Sequence, residues 1–139
     1  MKQNFGEGLK AFELARGCSQ ASMAVTNSMI TFCRKMVQAE QELPQVRLAE
    51  FYRSIKLSKR SSTFRQFRMV GSNARQLYNH AYHLPCRLSA LYECARLKEE
   101  VLEELVKAGR IHRFMTDAEL KQTIKSYRPS PAGSRLNTG

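Results

Sequence analysis

The chain has 139 residues and a formal net charge of +11, and 42% of its residues are apolar while 25% are charged. This length favours one domain, and the composition is that of an ordinary globular protein. No apolar run approaches the ~20 residues of a membrane helix, and the N-terminus lacks the apolar stretch of a secretory signal. The sequence therefore predicts a cytoplasmic protein without membrane contacts.

Four cysteines, at positions 18, 33, 86 and 94, are widely spaced and form no C-x-x-C pair. In a cytoplasmic protein such cysteines are typical of free thiols rather than of disulfides. Their spacing, with only His80 and His83 nearby, disfavours a zinc site. We therefore expect no metal and no other cofactor.

The first 43 residues are predicted to form two helical segments. Phe5, Leu9 and Phe12 recur at helical spacing, and Gly17 suits the position just after a helix end. Ser19 then suits the N-cap of a longer helix that reaches about residue 42, just before a proline.

This longer helix has an apolar stripe, formed by Val25, Met29, Phe32 and Met36, that is widened by apolar neighbours. A face this broad is not expected to be fully solvated. The stripe either packs in the core or forms a dimer or partner face. The core is the commoner place for such a stripe.

Residues 48–77 have the pattern of a helix-turn-helix. Leu48 and Tyr52 lie one turn apart in the first predicted helix, and Phe64, Val70 and Leu77 recur at helical spacing in the second part. A polar turn at residues 58–60 separates the two. Each predicted helix thus has one apolar face that must pack against the rest of the chain.

Gly71 interrupts the second predicted helix of this motif. The helix can end near Val70, with Ser72 or Asn73 capping a further helix that runs from Ala74 to about residue 80. It can equally continue through the glycine. The sequence leaves both alternatives open.

The helix-turn-helix carries most of the excess charge of the chain. No acidic residue occurs between Glu50 and Glu93, so this segment holds +8 of the total +11. Charge concentrated on one helical hairpin creates a local positive field that attracts phosphates or an acidic protein surface. A binding surface is therefore predicted here.

The remaining sequence predicts further helices and a mobile tail. Pro85 suits the first turn of one helix, Gly109 ends another, and Thr116 with Glu119 forms a capping box for the last. From Arg128 onward the sequence lacks apolar periodicity, which predicts disorder. The predicted fold is an all-α, compact multi-helix domain that contains a helix-turn-helix and has a long N-terminal helix. Its parts are an N-terminal helical segment (1–43), the helix-turn-helix with a C-terminal helical unit (44–127) and the tail (128–139).

Catalysis is not expected. His80, His83 and His112 are the residues whose unperturbed pKa suits a general base near neutral pH. No carboxylate within residues 51–92 is available to orient the first two, and neither a phosphate-binding glycine loop nor an H-E-x-x-H motif is present. The sequence predicts a non-enzymatic protein.

If the helix-turn-helix reads DNA, the N-terminal part of its second helix enters the major groove. Arg65 can then pair with guanine and Gln66 with adenine, while Thr63 contacts a thymine methyl group. Other basic and hydroxyl side chains of the hairpin would bind phosphates. The residues predicted to bind nucleic acid or an acidic partner are Arg53, Lys56, Lys59, Arg60, Ser61, Ser62, Thr63, Arg65, Gln66, Arg68 and Arg75.

A second pattern comes after the hairpin and consists of Leu84, Pro85, Leu91, Tyr92, Leu97, Gly109, Ile111, Met115, Thr116, Glu119 and Leu120. Together with the hairpin, it resembles a family of small helix-turn-helix regulators carried by plasmids and phages. The resemblance implies binding of double-stranded DNA by a transcriptional or maintenance regulator of a mobile element. It covers roughly the second half of the chain, and its matches lie mainly at core and capping positions.

A second hypothesis uses the same surfaces differently. A small, basic, helical protein of a mobile element could act like an anti-CRISPR protein and bind a host CRISPR effector protein or RNA–protein complex. A regulator is expected to be a symmetric homodimer that reads two half-sites, whereas an inhibitor binds a host protein stoichiometrically. The sequence does not separate these two functions.

Overall fold

A computed structural model of the chain describes residues 2–57 and 62–128, with side chains from residue 6 onward. These residues form seven α-helices and no strands, which confirms the predicted all-α class and the long N-terminal helix. The elements in chain order are α1 (Lys2–Glu42), α2 (Gln45–Ser54), α3 (Ser62–Ser72), α4 (Ala74–Tyr78), a 3₁₀ turn (Ala81–His83), α5 (Leu88–Ala95), α6 (Glu99–Lys107) and α7 (Asp117–Lys125).

Helix α1 is continuous over 41 residues, so the predicted break at Gly17 and N-cap at Ser19 are wrong. A single interior glycine costs only about 1 kcal/mol relative to alanine, which a long helix with favourable neighbours tolerates. A Cβ at Gly17 would meet nothing within 4 Å, so the glycine is not needed for a close approach either. At a rise of about 1.5 Å per residue, α1 is roughly 60 Å long.

The first part of α1 extends beyond the core. Residues 6–18 are all exposed, and Phe12 is 65% accessible to solvent. The predicted apolar face of this part, which includes Leu9, therefore does not pack against other described residues. The side chain of Phe5 lies outside the described residues.

The main core is formed by the second part of α1 and the helices that follow α2. Ile30 and Cys33 of α1 are fully buried against Val70 of α3, Leu77 of α4 and Leu91 of α5. Leu102 of α6 and Leu120 of α7 belong to the same cluster. The predicted apolar stripes from Phe64 to Leu77 are thus inward-facing.

Helix α3 includes Gly71 and ends one residue later, at Ser72, so the glycine itself does not end the helix. The predicted further helix is present as α4, which begins at Ala74 after Asn73. A Cβ at Gly71 would lie very close to the backbone carbonyl oxygen of Cys33, at 2.3 Å. The glycine is therefore required for the close approach of α3 to α1 rather than for a helix end. Asn73 occupies the N-cap position of α4, but its side-chain amide donates to the carbonyl oxygen of Met69.

Two helix ends have the same hydrogen-bond pattern. Gly109 follows α6 with a φ of 71°, as predicted, and Lys56 follows α2 with a φ of 57°. The backbone N–H groups of Gly109 and Arg110 donate to Val106 and Leu105, and those of Lys56 and Leu57 donate to Arg53 and Tyr52. Both ends are Schellman motifs, but the one at Lys56 lacks the usual glycine.

The predicted cap of α7 is confirmed, whereas α5 begins later in the chain than predicted. Thr116 and Glu119 form the predicted capping box of α7, with each side chain bonded to the other residue's backbone N–H. Helix α5 begins at Leu88, so the prediction that Pro85 lies in its first turn is wrong. Leu84, before this proline, is extended, as the proline ring requires. Of the predicted tail, Arg128 alone belongs to the described residues.

Within residues 2–57 and 62–128, no helix combines the length and the apolarity needed to cross a bilayer.

Candidate nucleic-acid interface

Helix α2 lies beside the start of α3. Leu48 and Tyr52 of α2 are buried together with Met36 of α1 and Phe64 of α3. The rings of Tyr52 and Phe64 meet edge to face, with centroids 5.1 Å apart. This small cluster positions α2 and α3 on the same end of α1. The turn that joins the two helices, with Lys59, Arg60 and Ser61, lies outside the described residues.

One face of α3 is directed away from the core. Ser62 and Arg65 on this face are exposed and Gln66 is half-buried, whereas Met69, further along the helix, packs against the main core. Arg65 and Gln66 come three and four positions after Ser62, so these side chains share one side of the helix. Thr63 is also exposed. Of the three side chains that were predicted to read bases, Arg65 and Gln66 lie on this side of α3, whereas Thr63, two positions before Arg65, lies on a different side of the helix.

Arg68 holds α3 against α1. Its guanidinium donates to both carboxylate oxygens of Glu40, with the closest N···O distance at 2.8 Å, and lies over the ring of Phe64. The hydrogen bond to Glu40 raises the pKa of Arg68. Burial, and then the charge of Glu40, raises the pKa of Tyr52. Arg68 was predicted as a phosphate contact, but in this structure its charge is used between two helices.

Glu40 positions α3 on α1 through Arg68, and the sequence did not reveal this role. It lies 28 positions before Arg68, and no local pattern connects residues so far apart. The pair is partly exposed, so its strength is modest. Its geometric effect is nevertheless specific, because a bidentate arginine fixes the direction of the carboxylate and hence the contact between the helices.

Several cations surround α3 without a carboxylate partner among the residues described. Arg53 and Lys56 lie at the C-terminal end of α2, Arg65 lies on α3 and Arg75 lies on α4; all four are exposed. Five ion pairs in the described part of the chain involve other arginines and lysines. These side chains are therefore available to an external anion.

Arg34 of α1 adds a cation that the sequence analysis missed. It lines a polar groove with Ser72 at the end of α3. Ser72 also lines a neighbouring groove with Arg75, which the carboxylate-bearing Glu99 of α6 shares. Arg34 and Arg75 thus flank the C-terminal end of α3 on two sides. Arg34 was not predicted to belong to this surface because it lies on a different helix, outside the basic segment of residues 51–92.

The consecutive helices α5 and α6 have the opposite charge. Residues 96–98 connect the two helices, and Glu99, Glu100 and Glu104 of α6 are exposed. Its apolar side buries Leu102 and Leu105. A helix with this acidic surface repels phosphates, whereas the cations around α3 attract them.

The predicted dimer or partner face of α1 is only partly exposed. Val25 and Phe32 are 51% and 41% accessible and Met29 is half-buried, so these residues can contact a partner. Met36 is only 2% accessible because it packs against Leu48, so its placement on this face was wrong.

The cysteines and histidines show no assembled metal-binding group among the described residues. Burial raises the pKa of Cys33 and of Cys94 to about 12, so these thiols stay protonated near neutral pH. All four cysteines are free, and Cys18 is exposed. Within residues 2–57 and 62–128, no three side chains of the metal-binding types form a cluster.

Comparison of the chain with protein-family models, with curated proteins and with solved structures finds no match. The functional interpretation therefore depends on the arrangement of the chain's own residues.

Proposed function

We propose that this protein is a non-enzymatic, sequence-specific double-stranded-DNA-binding regulator of a plasmid or phage, acting in the cytoplasm. In this proposal α2 and α3 are the helix-turn-helix and α3 is the recognition helix. One observation carries the proposal: the outward face of α3 has Arg65 and Gln66 in its N-terminal half, surrounded by cations without carboxylate partners among the described residues. A recognition helix contacts bases with this part of its surface.

The base-reading roles follow from side-chain chemistry. Arg65 presents a planar fork of donors that matches the two acceptors of guanine in the major groove. Gln66 can both donate and accept, which matches adenine, and the methyl group of Thr63 can contact that of thymine. Each good bidentate pair contributes about 1–3 kcal/mol of discrimination against a wrong base pair.

Phosphate contacts would position α3 in the groove. Arg53 and Lys56 lie on one side of α3, and Arg34 and Arg75 lie at its C-terminal end. Ser62 can donate its hydroxyl to a phosphate near the helix start. Lys59, Arg60 and Ser61 remain proposed on the sequence alone. Arg68 is omitted because Glu40 binds its guanidinium.

A recognition helix must also be held rigidly, because a side chain that is misplaced by about one ångström loses its base contact. Three contacts fix α3 on α1: the close approach at Gly71, the ion pair between Arg68 and Glu40, and the edge-to-face rings of Phe67 and Phe32, 5.0 Å apart. The long helix thus serves as the support of the DNA-reading surface.

The proposal is tested by selection from a random duplex pool at near-physiological salt, with several rounds of recovery and sequencing. We expect enrichment of one motif with inverted-repeat symmetry, because sequence-specific dimers read two related half-sites. Recovery of unenriched DNA, bound only at low salt, would contradict the proposal, since any basic surface binds duplex DNA in this way.

The alternative, an inhibitor of a host CRISPR effector protein or RNA–protein complex, is favoured by one observation. The exposed apolar residues Val25 and Phe32 offer a protein-binding surface on the helix that carries the basic hairpin. This function predicts a stoichiometric complex with the effector and no enriched duplex motif. The selection experiment therefore separates the two functions.

A further inference from the structure

A second apolar stripe runs along the outer side of α1. Its residues alternate at spacings of three and four positions, which is the spacing of a coiled-coil seam. Every residue of the stripe is exposed, unlike Ile30, Cys33 and Met36 on the inner side. We call this stripe the outer seam; it consists of Ala11, Leu14, Cys18, Ala21, Val25, Ser28 and Phe32.

The surroundings of the outer seam are also uncharged. No charged residue occurs between Arg16 and Arg34. The positions that flank the seam are mostly small, with Ala15 and Ser22 on one side and Gly17 and Ala24 on the other. A helix face that is meant for solvent normally carries charges, whereas small flanking residues allow a second helix to approach closely.

We propose that the outer seam binds the outer seam of a second copy of this chain, antiparallel, with a two-fold axis at about residue 23. In this register each seam residue from 14 to 32 lies opposite another seam residue. Leu14 lies opposite Phe32 of the second copy, Cys18 opposite Ser28, and Ala21 opposite Val25. A two-fold axis makes each of these contacts occur twice.

The pattern of side-chain sizes selects the antiparallel direction. A parallel pair would place Phe32 against Phe32 and Ala21 against Ala21, so the largest residues would crowd each other and the smallest would leave gaps. The antiparallel pair sets Phe32 against a smaller residue and Ala21 against a larger one.

The structure also has a groove that can accommodate Leu14 of the second copy. Next to Phe32, a groove with an almost wholly apolar lining lies between α1, α3 and α5. It is lined by Val25, Ser28, Met29, Phe32, Phe67 and Leu88. In the antiparallel register Leu14 of the second copy reaches this groove, so the interface extends beyond the two long helices.

The dimer has a consequence for DNA binding, which rests on the proposed function. Helix α3 contacts α1 from Phe32 to Glu40, that is, from 9 to 17 residues beyond the two-fold axis. At about 1.5 Å per residue, the symmetry-related contacts are about 27 to 51 Å apart along α1. This range includes the spacing of about 34 Å between half-sites one helical turn apart.

The first test measures the mass of the purified protein in solution, without DNA, by sedimentation equilibrium. We expect a dimer at a concentration on the order of 100 µM. Val25→Glu should raise the dimer dissociation constant by about 100-fold or more, because an unpaired carboxylate would be buried at the seam. The control is Val46→Glu, at a 73% exposed position on α2 away from the seam, which should leave the dimer intact.

A wild-type chain that is monomeric at this concentration would overturn the proposed dimer. A monomer is also the expected result if a different protein, rather than a second copy of this chain, covers the seam. Equal masses for the two variants would overturn it as well. Because no DNA is present, the two failures are distinguishable: a monomer would still allow the selection to enrich a single, unrepeated motif, and a failed selection would leave the measured mass unchanged.

The second test reads the direction of pairing from disulfides. In the antiparallel register the two Cys18 residues are about 15 Å apart, beyond the roughly 4.4–6.8 Å between the Cα atoms of a disulfide. Ser28→Cys should therefore give a covalent dimer through Cys18 under oxidised glutathione, and the wild type should not. The combined Cys18→Ser, Ser28→Cys variant is the control and should stay uncrosslinked. Wild-type crosslinks through Cys18 would show a parallel pair and overturn the antiparallel proposal.

Discussion

Helices α3 and α6 each follow another helix in the chain, yet their exposed sides are opposite in charge. The exposed side of α3 carries Arg65 and Gln66, whereas that of α6 carries Glu99, Glu100 and Glu104. Both helices bury apolar residues on the other side. An amphipathic helix alone therefore does not specify a partner, since the charge of its exposed face decides which partner can approach.

The two helices also differ in how they are held. Helix α3 packs along α1 and against α5, with Gly71 in contact with the backbone of α1. Helix α6 is anchored mainly through its own apolar side, with Leu102 and Leu105 buried. A helix that reads bases must be held rigidly, whereas a solvated acidic surface need not be. Substitutions in and around α3 and α6 test this difference.

Gly71→Ala should have the largest effect and lower the free energy of unfolding by about 3 kcal/mol, because the new Cβ would overlap the carbonyl oxygen of Cys33 and force α3 away from α1. Gly17→Ala is the matched control on α1, where a Cβ meets nothing. It should raise stability by about 0.5–1 kcal/mol, since alanine favours helix over glycine. Urea denaturation of both variants measures the effects. Similar changes in the free energy of unfolding for the two variants would show that α3 does not pack closely on α1 at Gly71.

Gln66→Ala and Arg53→Ala should affect DNA binding in different ways. Gln66→Ala should relax discrimination at one base pair of the selected site by about 1–3 kcal/mol. Arg53→Ala should weaken binding to all duplexes alike and reduce the slope of log affinity against log salt by roughly one unit. Binding titrations over a range of salt concentrations provide both quantities. The same uniform loss in both variants would contradict the division into base-reading and phosphate-binding residues.

Lys56→Gly should stabilise the protein by about 1 kcal/mol, because a non-glycine residue at a φ of 57° is strained. Gly109→Ala at the equivalent end of α6 should destabilise it by a similar amount. Thermal unfolding monitored by circular dichroism compares them. If both substitutions change stability in the same direction, the left-handed conformation is not shared by the two helix ends.

The smallest effect concerns the start of α7, which Asp117 ties to α5. Hydrogen bonds from Ser89, and then from Arg87, lower the pKa of this carboxyl. A folded-state pKa below the unfolded one gives stability that is complete above the unfolded pKa and is lost as pH falls through the folded pKa. The loss should be at most about 1 kcal/mol because the pair is partly exposed. Urea denaturation below about pH 4 should show a shallower pH dependence for Asp117→Asn.

The sequence predicted the elements whose signals are local. The periodic apolar residues Phe64, Val70 and Leu77 face the core, and Thr116 and Glu119 cap α7 as expected. A capping box needs only two residues at a fixed spacing, so no knowledge of the tertiary fold is required.

The roles of Gly17 and Gly71 were not predictable from the local sequence. Gly17 and Gly109 both come after an apolar periodic segment, yet only Gly109 has a left-handed φ and ends a helix. The difference depends on the residues C-terminal to each glycine. After Gly17 comes a long stretch of helix that packs on the core, which outweighs the local cost of about 1 kcal/mol. Gly71 serves a third purpose, a close helix contact, that no local pattern reveals.

The face of α1 that packs inward was also not determined by periodicity. Both sides of α1 carry apolar residues, so Met36 and Val25 were assigned to one stripe, although Met36 is buried and Val25 is exposed. The choice depends on neighbours that are distant in sequence, such as Leu48 for Met36. The ion pair between Glu40 and Arg68 was missed for the same reason.

Reading of DNA sequence by α3 is tested most directly by comparing Arg65→Ala on α3 with Lys107→Ala on α6. Both variants remove one positive charge. Fluorescence anisotropy measures their affinity for the selected duplex and for a scrambled duplex of equal length.

We expect Arg65→Ala to bind the selected duplex about 10–100-fold more weakly and the scrambled duplex nearly as the wild type does. We expect Lys107→Ala to bind both duplexes as the wild type does. Equal weakening of both duplexes by both variants would show that binding is general charge attraction and would contradict sequence reading by α3.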